Sequence, residues 1–279
     1  MRVCFPRTQK VADMTKPLRL ADALLRSCGI AVMAKASFPG RTKTRLVPPL
    51  TSAEACAFNT AFLQDIAANI LAAAKHARLC GYMAFGPPDA VGFFHANLPS
   101  SIGLIECWLP NFGDCLFSAI THLFGLGHTG AVVLNSDSPT LPTALLVETA
   151  QALAREGDRA VIGPSTDGGY YLLGLKAAHR RLFDDIDWST ERVAAQTLER
   201  AREIGLPVHV LPAWYDVDER DALRRLHGEL FGGDAFAAQL QSHPATRTAA
   251  LMRALLRETD LAARLGIAPP ARPLAEGVG

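Results

Sequence analysis

Short apolar runs that stop abruptly at polar clusters constrain this 279-residue chain more than any other feature. Ala131-Val132-Val133-Leu134 is the clearest of them, and it ends at Asn135-Ser136-Asp137-Ser138-Pro139. A run this short, with no polar residue in it, reads as a strand buried on both faces. Ile30 to Ala34, Leu79 to Phe85, Gly103 to Leu109, Ala160 to Ile162, Tyr170 to Leu175 and Val208 to Leu211 are further strand candidates. Helical spacing fills the gaps. One helix starts at Thr51, with Glu54 completing a capping box, and runs to about residue 75; others cover 114 to 124, 190 to 204, and stretches from near Pro142 and Glu219. Strands alternating with helices predict an α/β fold of three αβα layers around a mostly parallel sheet.

In such sheets ligands sit beyond the carboxyl ends of the strands. The polar clusters at 35–45, 135–138, 163–169 and 216–218 all follow expected strands, so four strand ends should meet on one rim. That convergence is the residue-level reason to expect an enzyme.

Net charge is +1, so no global field draws the chain to nucleic acid or anionic lipid, and anion binding must be local. No 18-residue apolar run and no signal-like apolar stretch occurs, and the six cysteines show no C-x-x-C pair. The expectation is a cytoplasmic protein with no membrane or nucleic-acid partner. Residues 18–26 could form a short amphipathic helix, but a frayed extension suits Asp13 and Asp22 better. The expected organisation is an extension over 1–28, one domain over 29–230, and a helical tail over 231–279 that is peripheral and frays at its end.

Lys35, Arg41, Lys43 and Arg45 set four cations on one loop with Gly40 and Thr44 between them. Guanidinium groups grip phosphate oxygens bidentately and glycine permits close backbone approach, so a phosphate site is preferred over a merely solvated basic loop. Asn135 and Ser136 flank Asp137, whose carboxylate either holds a divalent cation such as Mg²⁺ or Mn²⁺ or caps the following turn. Asp216 and Asp218 form a D-x-D pair for which helix capping by Asp218 is the plainer reading and metal binding the functional one. Asp167-Gly168-Gly169-Tyr170 reads as a tight turn that could face a ligand, with Asp167 as a hydroxyl partner or a base. Trp188, Ser189 and Thr190 precede a helix, where Ser189 or Thr190 could cap or face an anion. Gly125 to Gly130 matches G-x-G-x-x-G but precedes a strand, the wrong context for a dinucleotide.

Taken in order, Ala34-Lys35 with Pro39 to Leu46, Asn135 to Pro139, Gly163 to Leu175, Trp188-Ser189-Thr190 and Tyr215 to Asp218 resemble a bacterial family of glycosyltransferase-A-type proteins associated with radical-SAM enzymes or arsenosugar biosynthesis. The likeness covers roughly residues 29 to 260. More distantly the chain is similar to 2-phospho-lactate and molybdopterin guanylyltransferases. The resemblance implies the Rossmann-like nucleotide-diphospho-sugar transferase fold, with Asp137 as metal ligand and Asp216 or Asp218 as a second acidic site. It implies transfer of a sugar from a nucleotide sugar to a small acceptor. The basic loop suits somewhat better the coupling of a nucleoside triphosphate to a phosphorylated small molecule, because pyrophosphate brings more charge, while the resemblance puts sugar transfer slightly ahead; a nucleotide-binding domain without turnover is the third reading. Where that family carries D-L-G-x-R, this chain has Gly113-Asp114-Cys115-Leu116-Phe117.

Overall fold

The computed structural model describes residues 27–267. The extension read over 1–28 therefore lies almost wholly outside the described residues, as does the 18–26 helix. Seven strands form one sheet: β1 (Cys28–Ala34), β2 (Leu79–Phe85), β3 (Gly103–Glu106), β4 (Gly130–Leu134), β5 (Ala160–Pro164), β6 (Tyr170–Leu175) and β7 (Val208–Val210). Their order is β3-β2-β1-β4-β6-β5-β7. Every pairing is parallel except those of β6, which runs antiparallel to β4 and β5. The β5–β6 connection is too short for a parallel crossover, so the strand must reverse. That reversal puts the start of β6 on the rim where β1, β4 and β5 end.

Strand alternation splits the core between the two faces. Ile30 and Val32 of β1 and Val132 and Leu134 of β4 pack on one side, while Ala31, Ala131 and Val133 pack on the other, and all are buried. The first side is covered by α1 (Ser52–Ala73), α2 (Val91–Asn97) and α4 (Thr143–Ala154), the second by α3 (Phe112–Gly125) and α5 (Val193–Glu203). The expected capping box is present: the Thr51 hydroxyl accepts from the Glu54 amide, and the Glu54 carboxylate accepts from the Thr51 amide.

Three local expectations are corrected. The helix from residue 190 starts at Val193, with Arg192 at the cap position; Ser189 has φ 66° and does not cap it, while the Thr190 hydroxyl donates to the Asp187 carbonyl and accepts from the Arg192 amide just ahead of the helix. Helix α6 (Arg220–His227) is preceded by Glu219, not by an Asp218 cap, because the Asp218 carboxylate is drawn to Lys43. The stretch from 231 is not continuously helical. A π-helical turn ends at Gly232, an irregular segment follows, and helices resume at α7 (Thr246–Glu258) and α8 (Leu261–Leu265).

Helix α7 packs against α1, with Met252 and Leu256 inside the core. Fully buried Asp65 of α1 accepts hydrogen bonds from the Arg247 and Thr248 amides at 2.9 and 2.8 Å, supplying from another helix the cap that α7 lacks. Among the described residues no helix is long and apolar enough to cross a membrane, and all five cysteines are unpaired.

Candidate functional site

A cleft of about 840 Å³ opens over the carboxyl ends of β1, β4 and β5. Its first wall is the loop after β1. There the buried Thr42 hydroxyl donates to the Ala36 carbonyl and accepts from the Phe38 amide, both at 3.0 Å, curling the loop over the strand end. Lys35, Arg41, Lys43, Thr44 and Arg45 all line the cleft. Gly40 does not; its φ of 75° serves the turn, and no atom lies within 4 Å of where a Cβ would stand.

Lys43 adopts a left-handed backbone conformation (φ 52°), a strain that persists only where the surroundings hold it. They do so through its ammonium. Nζ lies 2.7 Å from Asp137, 2.8 Å from Asp218 and 3.0 Å from the Val217 carbonyl, which uses all three of its donors. Burial alone would lower the Lys43 pKa, but the two carboxylates outweigh it and hold the amine charged. Lys43 is thus an internal counter-ion, and the open grip on an anion falls to Lys35, Arg41 and Arg45. Lys35 and Arg41 are exposed and have no ion-pair partner among the described residues. Arg45 reaches Glu219 and, at 3.7 Å, Asp218.

The segment 215–218 is stitched to the end of β4. The Val217 amide donates to the Asp137 carbonyl at 2.8 Å, and the Ser138 hydroxyl donates to the Tyr215 carbonyl at 2.9 Å. Asn135 and Ser136 line the cleft beside Asp137, and the Ser136 hydroxyl donates to the Asp137 carboxylate. Burial, with Asp218 adding to it, raises the Asp137 pKa against the pull of Lys43. Asp218 is the partner held low, because Lys43 and Arg45 outweigh its burial. Asp216 accepts from the Ser165 hydroxyl at 3.0 Å and is pushed up to about 6, by burial first and then by the charges of Asp167 and Asp218.

The third side is the β5–β6 hairpin with the segment before α5. Asp167, Gly169, Tyr170, Trp188, Ser189 and Thr190 line the cleft. Gly168 does not, because its φ of 92° tucks it against the Glu191 backbone. Sequence reasoning missed Phe112 and Leu116 at the start of α3, and Glu191. Apolar residues opening a helix read as core; the signal was their position directly after a strand end on the same rim.

Five acidic residues, Asp137, Asp167, Glu191, Asp216 and Asp218, therefore line the cleft, and two of them, Asp137 and Asp218, close on the ammonium of Lys43. The excess negative charge and the hard oxygen donors suit a divalent cation. As they stand, Asp137 and Asp218 meet at Lys43, and among the described residues no three His, Cys, Asp or Glu side chains already converge on one metal point.

The chain is similar over 87% of its length to a crystal structure from Desulfovibrio desulfuricans G20, provisionally assigned as a nucleotide-diphospho-sugar transferase; 97% of that chain is covered, with 26% identity and a TM-score of 0.71. The chain has the nucleotide-diphospho-sugar transferase fold. Residues 69–190 match the family model described as an uncharacterized protein conserved in bacteria (DUF2064). These likenesses support the superfamily and not the radical-SAM or arsenosugar association. Weaker similarity extends to a cytidylyltransferase from Leptospira borgpetersenii serovar Hardjo-bovis (9% identity, 89% of this chain, 99% of that one, TM-score 0.48). It extends also to the manganese complex of Rv0371c from Mycobacterium tuberculosis H37Rv (17%, 71%, 96%, 0.41). No curated protein matches.

Proposed function

We propose that the chain is a metal-dependent glycosyltransferase that moves a sugar from a nucleotide-diphospho-sugar to a small acceptor in the cytoplasm. The observation that carries this reading is the meeting of exposed cations and clustered carboxylates across one cleft at the strand ends. The likeness to the Desulfovibrio protein supports it. Every residue lining the cleft falls between Met33 and Asp218, so we take 29–230 as the transferase unit, with 1–28 and 231–279 as segments added to it.

In this reading Lys35, Arg41 and Arg45 receive the donor's diphosphate, with the Thr44 hydroxyl beside them. Asp137, with Asp216 or Asp218, would hold Mg²⁺ or Mn²⁺, which when bound neutralises charge on the diphosphate. Lys43 keeps Asp137 and Asp218 together in the absence of substrate. The acceptor's hydroxyl oxygen attacks the anomeric carbon, the bond from that carbon to the phosphate oxygen breaks, and its electron pair leaves with the nucleoside diphosphate. Asp167, exposed at the hairpin tip, takes the hydroxyl proton.

The cations of the loop after β1 that remain for an anion, Lys35, Arg41 and Arg45, favour a second reading, nucleotidyl transfer, in which a phosphorylated small molecule attacks a nucleoside triphosphate and pyrophosphate departs. The protein with Mg²⁺ or Mn²⁺, incubated with panels of nucleotide sugars, nucleoside triphosphates and acceptors, distinguishes them. Nucleoside diphosphate release is the expected outcome. Pyrophosphate release would put the second reading first, and nucleotide binding with neither product would leave a binding domain.

A further inference from the structure

The cleft is chemically two-sided. Its lysines and arginines all come from the loop after β1, while the opposite wall of Phe112, Leu116, Tyr170 and Trp188 carries no cation and has Asp167 and Glu191 beside it. The arginines nearest that wall are already engaged, Arg180 with Asp114 and Asp184, and Arg192 with Asp187.

This wall is built to present aromatic surface. Phe112 is 52% exposed and meets Trp188 edge-on, with ring centres 5.5 Å apart. The start of α3 presses on the indole so closely that a Cβ at Gly113 would lie 2.7 Å from Trp188 Nε1, which fixes the ring in place. Exposed Phe112 and half-buried Trp188 together leave a patch of aromatic surface facing the cleft, which a flat apolar group can cover.

We infer that the acceptor is an uncharged, hydroxyl-bearing molecule with a flat apolar face, seated on Phe112 and Trp188, and not a phosphate ester. A phosphomonoester would be desolvated against Asp167 and Glu191 with no free guanidinium to meet it. This inference rests on the transferase reading, and it separates the two reactions, because coupling to a phosphorylated acceptor needs cations on the side that has none.

The test titrates the full-length protein with phenyl β-D-glucopyranoside, with glucose 1-phosphate, and with GDP, UDP, CDP and ADP plus Mg²⁺, in wild type, Trp188→Ala and Phe112→Ala. The glucoside should bind at least about tenfold tighter than the sugar phosphate, and each variant should weaken it by about tenfold or more, leaving the best nucleotide within about threefold. Phe112 is exposed, so its variant keeps the test independent of folding. Tighter binding of glucose 1-phosphate, or nucleotide binding without glucoside binding, would overturn the inference. So would an equal loss of nucleotide in Trp188→Ala, which would make the wall a platform for the base. Absence of any nucleotide binding in wild type would instead remove the transferase reading, and this inference with it.

Discussion

Lys43 Nζ lies 2.7 Å from the Asp137 carboxylate, tying the loop after the first strand to the end of the central one. The contact joins the wall that offers cations to the edge that offers carboxylates. Asp218 shares the same ammonium, so one buried lysine offsets two half-buried acids. Lys43→Met should cost about 2 to 4 kcal/mol, because removing one partner leaves charge buried and uncompensated. Mg²⁺ should then raise the melting temperature of the variant more than that of the wild type. Equal melting curves for both proteins would mean that the contact contributes nothing.

Asp216 gives the pH dependence a definite sign. Its native pKa of about 6 lies above the ordinary 3.8, so the native state binds this proton more tightly than the unfolded chain does. Stability from this group is then lost as pH rises from about 4 to about 6. Asp216→Asn should therefore be more stable than wild type at pH 7 in EDTA, by up to about 2 kcal/mol, and equal to it near pH 4. Urea titrations at the two pH values check this; a less stable variant at pH 7 would contradict it. Activity should fall in the same variant.

Glu54 shows the opposite sign. Hydrogen bonds from Arg264 at 2.7 and 2.8 Å lower its pKa against the effect of burial. The stabilisation is complete above the ordinary carboxylate value and is lost as pH falls through the lowered native one. Glu54→Gln should cost about 1 to 2 kcal/mol at pH 7, with the difference from wild type closing in strong acid. A pH-independent difference would show that the charge is irrelevant.

Gly168→Ala should damage the site without touching any charge. The added Cβ would stand 2.1 Å from the Glu191 carbonyl oxygen, at a φ of 92° that alanine resists. A loss of about 2 kcal/mol or more is expected, with displacement of the 188–191 segment visible as a change in Trp188 fluorescence. Unchanged stability and fluorescence would show that the hairpin yields freely.

How far the fold was legible follows from where burial sits. Val132 and Val133 lie on opposite faces of β4, and both faces are covered, so the run is uniformly apolar and readable. At the sheet edge β7 ends at Val210, which is 54% exposed, while the expected Leu211 is buried and its amide still donates to the Ile162 carbonyl of β5. The segment 233–245 misled because its apolar residues, such as Phe236, pack on Trp214 and Tyr215 without forming a helix.

In the site, the charged side chains were legible because cations and carboxylates cluster in short stretches after strands. Their pairings were not. Lys43 read as a phosphate ligand, since nothing local shows that Asp137 and Asp218 will claim it. Asp218 read as a helix cap for the same reason: capping is a local rule, and a buried ammonium from a distant loop overrode it. Phe112 escaped because an apolar residue opening a helix carries no sign of whether it faces core or cleft.

The most direct test of the account is calorimetric titration of a nucleoside diphosphate, the best binder of GDP, UDP, CDP and ADP, into wild type and Asp137→Asn, each with Mg²⁺ and with EDTA. The account predicts that wild type binds about tenfold or more tightly with Mg²⁺ than without, and that Asp137→Asn loses this cation dependence. Binding that is the same with and without Mg²⁺, or unaltered by Asp137→Asn, would contradict it.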